Sequence, residues 1–192
     1  MSIYPVSKDP LARLIEKRAW IPEAMELIAQ QAIKKPFQRA GSAGDSLLSF
    51  LHGEWLHEPL HAILTDVPVG AWTVTVVADA IGAVSESDSM DKVADVSLAI
   101  GLVGAAGAAI TGMVDWSEVK QPSPRRIGAA HALLNVAATT LIAISCFTRT
   151  RKAKRSLSRS LAIAGYVVAT LSAHLGGNLV YEHSVGVRTE PS

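Results

Sequence analysis

The residues in this chain equipped for chemistry are few, and most sit in or beside long apolar runs. His61 opens the run HAILTDVPVGAWTVTVVADAIGAV, which also carries Asp66 and Asp79. Asp115 closes a second run and precedes Trp116, while His131 and Asn135 lie four residues apart in a third. In a fourth, His174, Asn178 and Tyr181 fall at i, i+4 and i+7, which is one face of a helix. Neutral imidazoles from two helices can grip a haem iron or another metal between them, and helical bundles are common hosts for haem. His61 and His131 form that candidate pair, with His174 as a third ligand or as the partner in place of His61. The same side chains can instead bond helix to helix, with His61 and Asp66 capping a helix and His131 meeting Asn135 or Asp115. Arg125 and Arg126, near the start of the third run, suit an anionic group such as haem propionates or lipid phosphate; ordinary membrane-flanking charge is the other reading.

Asp66 lies two residues before Pro68, where a helix begins or kinks, so its expected role is a cap. Asp79 has apolar neighbours and requires a partner, a proton or water; it is either a protonated acid bonded across helices or a step in a proton path. His52 and His57 fall outside the apolar runs and read as solvated. Cys146 is the only cysteine, which excludes an intrachain disulfide, a C-x-x-C redox pair and any thiolate cluster held by this chain alone. No H-E-x-x-H or G-x-S-x-G sequence supports a hydrolase, and no catalytic residue is assigned.

The elements that must position these groups are four apolar blocks at about 61–84, 93–115, 127–147 and 161–181. Each is close to the ~20 residues needed to cross a ~30 Å hydrocarbon core. Charged residues make up only 18% of the chain, against the ~25% usual in soluble domains. The blocks lack a polar face, and 192 residues cannot surround four fully buried helices, so lipid must cover them. The expectation is an all-α, integral membrane four-helix up-down bundle over residues 59–188, with short loops joining neighbours and a tail at 189–192. In the second block Gly101, Gly104, Gly107, Ala108 and Gly112 let backbones approach closely, a packing signal. Alternating helix direction brings the start of block one, the end of two, the start of three and the end of four to one side. His61, Asp66, Asp115, His131, Asn178 and Tyr181 are therefore expected to converge there.

Residues 1–58 read as amphipathic helices at the membrane surface, or packed on the end of the bundle. Asp9-Pro10 starts a helix with Leu11, Leu14, Ile15 and Arg18 at helical spacing, Ile21-Pro22 begins a second that Lys34-Lys35-Pro36 ends, and Asp45 caps a third after the turn Gly41–Gly44. Trp55 suits the headgroup region. Lys8, Arg13, Lys17 and Arg18 interrupt any apolar leader, so the first block is expected to act as an uncleaved insertion signal. An even number of spans places both termini on one side. Lys34, Lys35, Arg39, Lys120, Arg125, Arg126 and Arg188 flank the membrane there, balanced by Lys92, Arg149, Arg151, Lys152, Lys154, Arg155 and Arg159 on the other. Charge alone does not orient the chain; the difficulty of exporting a charged 58-residue segment favours both termini in the cytoplasm. A net charge of +1 and 5% aromatics give no reason to expect nucleic-acid binding.

The motifs LHGEWLHEPLHAILTDVPVGAW, AAGAAITGMVDW, AAHALLN and LGGNLVYEHSVGV, in this order at block ends, resemble the bacterial four-helix membrane family called domain of unknown function 2231. The resemblance covers roughly residues 45–190 and rests on His61, Asp66, Pro68, Gly70, Trp72, Asp79, Gly112, Asp115, His131, Gly176, Gly177, Tyr181 and Gly186. It implies a location in the bacterial inner membrane. In similar proteins a Rieske-type [2Fe–2S] domain often follows the membrane unit, which implies electron transfer; this chain carries no such domain, so its partner would be a separate iron–sulfur protein or a quinone. Glu58 and Asn178 stand where relatives often have histidine, leaving His61 and His131 as the better ligand pair. The expected function is a haem-b-binding electron-transfer module. The alternative is a non-redox scaffold, or a proton or solute pathway, whose buried polar residues are structural. Oligomeric state is not legible.

Overall fold

The computed structural model describes residues 7–17, 21–150 and 154–186. Arg18, Arg151, Lys152, Arg188 and the tail at 189–192 lie outside them. Three short helices come first: α1 (Pro10–Lys17), α2 (Glu23–Arg39) and α3 (Ser42–His52), followed by a 3₁₀ turn at Glu54–Leu56. Four long helices follow: α4 (Leu60–Ser85), α5 (Asp88–Ser117), α6 (Pro122–Arg149) and α7 (Arg155–Tyr181).

The starts of the helices have local causes. Asp9 Oδ1 accepts the Leu11 and Ala12 N–H groups at 2.6 and 3.2 Å and so caps α1, with Pro10 in the first position, where its missing N–H costs nothing. Pro36 does not end α2, contrary to the expectation. It removes a single backbone bond, and the Ala40 N–H rejoins the ladder at the carbonyls of Pro36 and Phe37. The turn before α3 is correspondingly shorter, and α3 begins at Ser42 instead of Asp45. The four long helices outrun the apolar blocks because hydropathy marks only their lipid-compatible parts. The first turn of α5 carries Asp88 and Asp91 and the last turn of α6 carries Arg149, each of the sign favoured by its end of the helix dipole.

All four long helices are apolar and long enough to cross a membrane, and only 22–33% of their most apolar windows is buried by protein. Val84, Phe147 and Val103 are 90, 79 and 76% exposed. Leaving each such side chain in water would forgo about 1.5–3 kcal/mol, so a hydrocarbon environment must cover them.

The chain divides into two compact units. One comprises the segments up to His61, Ile110–Ala132 and Ser172 onward; the other comprises Ala62–Ala109 and Leu133–Leu171. In the second, all four long helices pack around Trp72, Leu98, Ile142 and Ala162, with Leu102, Ala105, Cys146 and Tyr166 against them, which is four-helix bundle packing. The glycines of α5 serve as expected: a Cβ on Gly101 would come within 2.2 Å of the Trp72 indole, and one on Gly104 within 2.5 Å of Val67. Absence of a side chain is what lets α4 lie this close. In the first unit α1–α3 meet the ends of the long helices: Asn178 donates to Ser7 Oγ at 2.9 Å, and Gln30 donates to the carbonyls of Trp116 and Val119, both at 2.9 Å.

Candidate functional site

In the first unit the structure brings His61 of α4 and His131 of α6 together, their ring centroids 6.5 Å apart and their planes perpendicular. His131 Nδ1 lies 2.8 Å from the Ser172 carbonyl oxygen, so this nitrogen carries the proton and donates. Ser172 Oγ donates in return to the His131 carbonyl at 2.9 Å. The pair of bonds ties α6 to α7 and leaves Nε2 as the basic nitrogen of a neutral ring. His61 Nδ1 faces Thr111 Oγ1 of α5 at 3.5 Å. Each ring rests on a glycine of a neighbouring helix. A Cβ on Gly112 would approach His61 Cε1 to 2.6 Å, and one on Gly176 would approach His131 Cε1 to 3.0 Å.

The other residues expected to converge here are distributed differently. Asp115 bonds His52 Nδ1 at 2.8 Å, which also corrects the reading of His52 as a solvated residue; His57 is exposed. Asn178 is turned to Ser7. His174 is exposed and pairs with Asp9, and Tyr181 is 89% exposed, so neither reaches the histidine pair. Arg125 does not offer its guanidinium to an anionic ligand. It is buried against Glu26 (2.9 Å) and Glu23 (2.6 Å), because a cation beneath α2 must find carboxylates there. Asp66 does not cap α4, which starts at Leu60 and leaves Asp66 exposed in its second turn. Height along each helix is all that alternating direction specifies, whereas side-chain direction and the N-terminal helices decide the partners.

Groups outside the spans have shifted titration with clear causes, His52 and Asp9 among them. The hydrogen bond to Asp115 raises the His52 pKa above the ordinary imidazole value, against the opposing effect of burial and with help from the charges of Glu118, Asp115 and Glu54. Burial opposes ionisation of Asp9, but the backbone N–H groups of Ala12 and Leu11, with His174, outweigh it and bring its carboxyl below the usual range.

The second unit holds a polar centre of its own. Asp79, 2% exposed, is gripped by both terminal nitrogens of Arg149, one of them at 3.0 Å from Oδ1. Arg149 also reaches Asp95 at 2.9 Å. Arg155 bonds Asp95 at 2.6 Å, Asp91 at 3.0 Å and Asp79 at 3.3 Å, and Arg159 bonds Asp91 at 2.7 Å. Asp79 thus sits at the centre of an ion-pair network, which supplies the partner its apolar surroundings require. Three carboxylates from α4 and α5 balance three guanidiniums from α6 and α7. Such a network fastens four helices and is worth most through what its rupture would leave uncompensated. The sequence carries a signal for it: Asp91 and Asp95 four apart at the start of α5, Arg155 and Arg159 four apart at the start of α7.

A pair of intramembrane histidines in one unit and a buried charge network in the other, both carried on four apolar helices, define a class of integral membrane protein. Residues 57–189 match the family model described as predicted membrane protein (DUF2231), and the chain belongs to that family. No curated protein and no solved structure matches it.

Proposed function

We propose that this membrane protein is an electron-transfer module in which His61 and His131 would hold haem b. The observation that carries the reading is the 6.5 Å perpendicular imidazole pair. Two imidazoles this close could hold one ion between them, nitrogen–metal distances being about 2.0–2.1 Å. Among the described residues no three His, Cys, Asp or Glu side chains are grouped to hold a metal ion. A two-histidine site therefore suits an ion whose remaining positions are filled by a macrocycle. The Ser172 carbonyl orients His131 by accepting its Nδ1–H, the arrangement by which second-layer bonds fix a ligating tautomer. The haem would supply reversible one-electron chemistry. The chain's own residues hold the imidazoles, fix the proton on the far nitrogen of His131 and surround both rings with apolar helices. The electron partner would be a separate iron–sulfur protein or a quinone, and the setting the bacterial inner membrane with both termini cytoplasmic. The purified protein, expressed with ample haem, should show a Soret band; its absence, with no iron by elemental analysis, would sink the proposal.

A second reading, a non-redox scaffold or a proton or solute pathway, is favoured by the seating of each ring on a glycine and by the helix-to-helix bonds of Ser172 and Thr111. On that reading His131→Ala lowers thermal stability in detergent and removes no chromophore. Loss of a bound pigment with the fold intact decides against it.

A further inference from the structure

Asp66 is exposed on α4, on the face opposite the buried Trp72, Thr75 and Asp79, and has no hydrogen bond or ion pair among the described residues. It lies six residues from Leu60, about 9 Å along the axis, whereas centring this helix of 26 residues on a ~30 Å hydrocarbon core leaves about 4–5 Å outside at each end. The carboxyl is therefore inside the apolar layer, and an aspartate is too short to reach back to the headgroups as lysine and arginine do. Exposed hydroxyls of the spans do not share this difficulty: Thr140 and Thr170 donate to carbonyls of their own helices at 2.7 and 2.9 Å. Asp66 has no such recourse, because the N–H groups around it are spent on the helix. Gly70, one turn further along the same face, is exceptional in a second way. Every other glycine of the four long helices has a neighbour within 4 Å of where a Cβ would stand, and at Gly101, Gly104 and Gly165 that neighbour is at 2.7 Å or less. Beside Gly70 there is nothing within 4 Å. Glycine weakens a helix relative to alanine, and among the described residues nothing requires it at this position. A carboxyl without a partner and a bare backbone without a neighbour, four residues apart, both mark the place of a helix that a single chain does not supply.

We propose that this face of α4 is where two copies of the chain meet: parallel α4 helices related by a two-fold axis along the membrane normal, crossing at Gly70, with the two Asp66 carboxyls paired beside the axis. Two features of the face select a second copy over an unrelated helix. Copies inserted in one direction carry Asp66 at the same depth, so each carboxyl finds its counterpart without further matching, and a proton held between the two lets one donate to the other. A two-fold contact also sets each Gly70 against its counterpart. Two missing side chains admit the close crossing that small residues allow in lipid. Exposed Ala62 continues the four-residue step on the near side of Asp66, while Val69 and Val77, 46 and 53% exposed, flank the crossing with apolar surface. The core around Trp72 is undisturbed, because it occupies the other side of α4. The pairing is independent of what the two histidines bind.

The test is energy transfer between full-length copies carrying a donor or an acceptor at the amino terminus, reconstituted in phospholipid vesicles and diluted with lipid. The wild-type protein is expected to follow a monomer–dimer curve. Asp66→Ala and Gly70→Leu should each raise the dissociation constant at least about tenfold, the scale of one polar or close-packed helix contact in lipid. Ala106→Leu, on the exposed side of α5, should leave it unchanged. Neither Asp66 nor Gly70 has a side-chain partner among the described residues, so both variants should keep the helix content of the wild type. A wild-type protein that stays monomeric at every dilution, or that closes into a ring larger than two, overturns the proposal. Pairing of either variant as tight as wild type, or equal weakening by Ala106→Leu, is equally fatal. Should one variant fail to fold, the other decides alone.

Discussion

His61 and Gly112 illustrate how much one missing methyl group governs in this protein. A Cβ at position 112 would stand 2.6 Å from the imidazole, closer than carbon atoms approach without displacement. Gly112→Ala should therefore move the His61 ring, lowering thermal stability by about 1–3 kcal/mol, the usual cost of overpacking. Gly176→Ala, with its nearest contact at 3.0 Å, should cost less. Melting curves of the two variants in detergent check the order, and equal or reversed losses would show that the rings are not seated as described. The histidines themselves were legible from sequence, because an ionisable group within an apolar run has few reasons to be there. Which of them meet was not. His131 finds Ser172, and Asp115 finds His52, through side-chain directions that periodicity along a single helix does not specify.

At the scale of elements, the long helices were readable as apolar blocks, and their ends were not, because the charged turns that extend α5 and α7 carry no hydropathic signal. Those turns contain the network around Asp79. Its members differ sharply in exposure: Asp79 is 2% exposed at its side chain and Asp95 42%. Asp79→Asn removes the carboxylate from buried guanidiniums and should cost about 3–5 kcal/mol, the range for breaking a buried pair from one side. Asp95→Asn should cost no more than about 1 kcal/mol, as for exposed pairs. Thermal unfolding of the two variants under one detergent condition measures the contrast; similar small losses would mean that the network does not fasten the helices. The N-terminal helices were recognised as amphipathic, with packing on the end of the bundle as one of two readings, but the residues that attach them were not. Arg125 read as a membrane-flanking charge or an anion site, and only the placement of α2 over it reveals Glu23 and Glu26 as its partners.

For the whole molecule, composition alone identified the solvent. Four helices that leave most of their apolar surface uncovered by protein require lipid. The protein should stay in the membrane pellet after an alkaline carbonate wash and leave it only with detergent; release into the wash would contradict four spanning helices. Membership of the DUF2231 family agrees with this assignment and leaves the chemistry to the residues. The proposed chemistry rests on His61 and His131 sharing one iron. Its most direct test is the absorption spectrum of the purified protein, expressed with ample haem, before and after dithionite. A shared haem iron predicts a Soret band and, on reduction, a sharpened b-type α-band, both lost in His131→Ala. A featureless visible spectrum in the wild-type protein, with iron absent by elemental analysis, would contradict it.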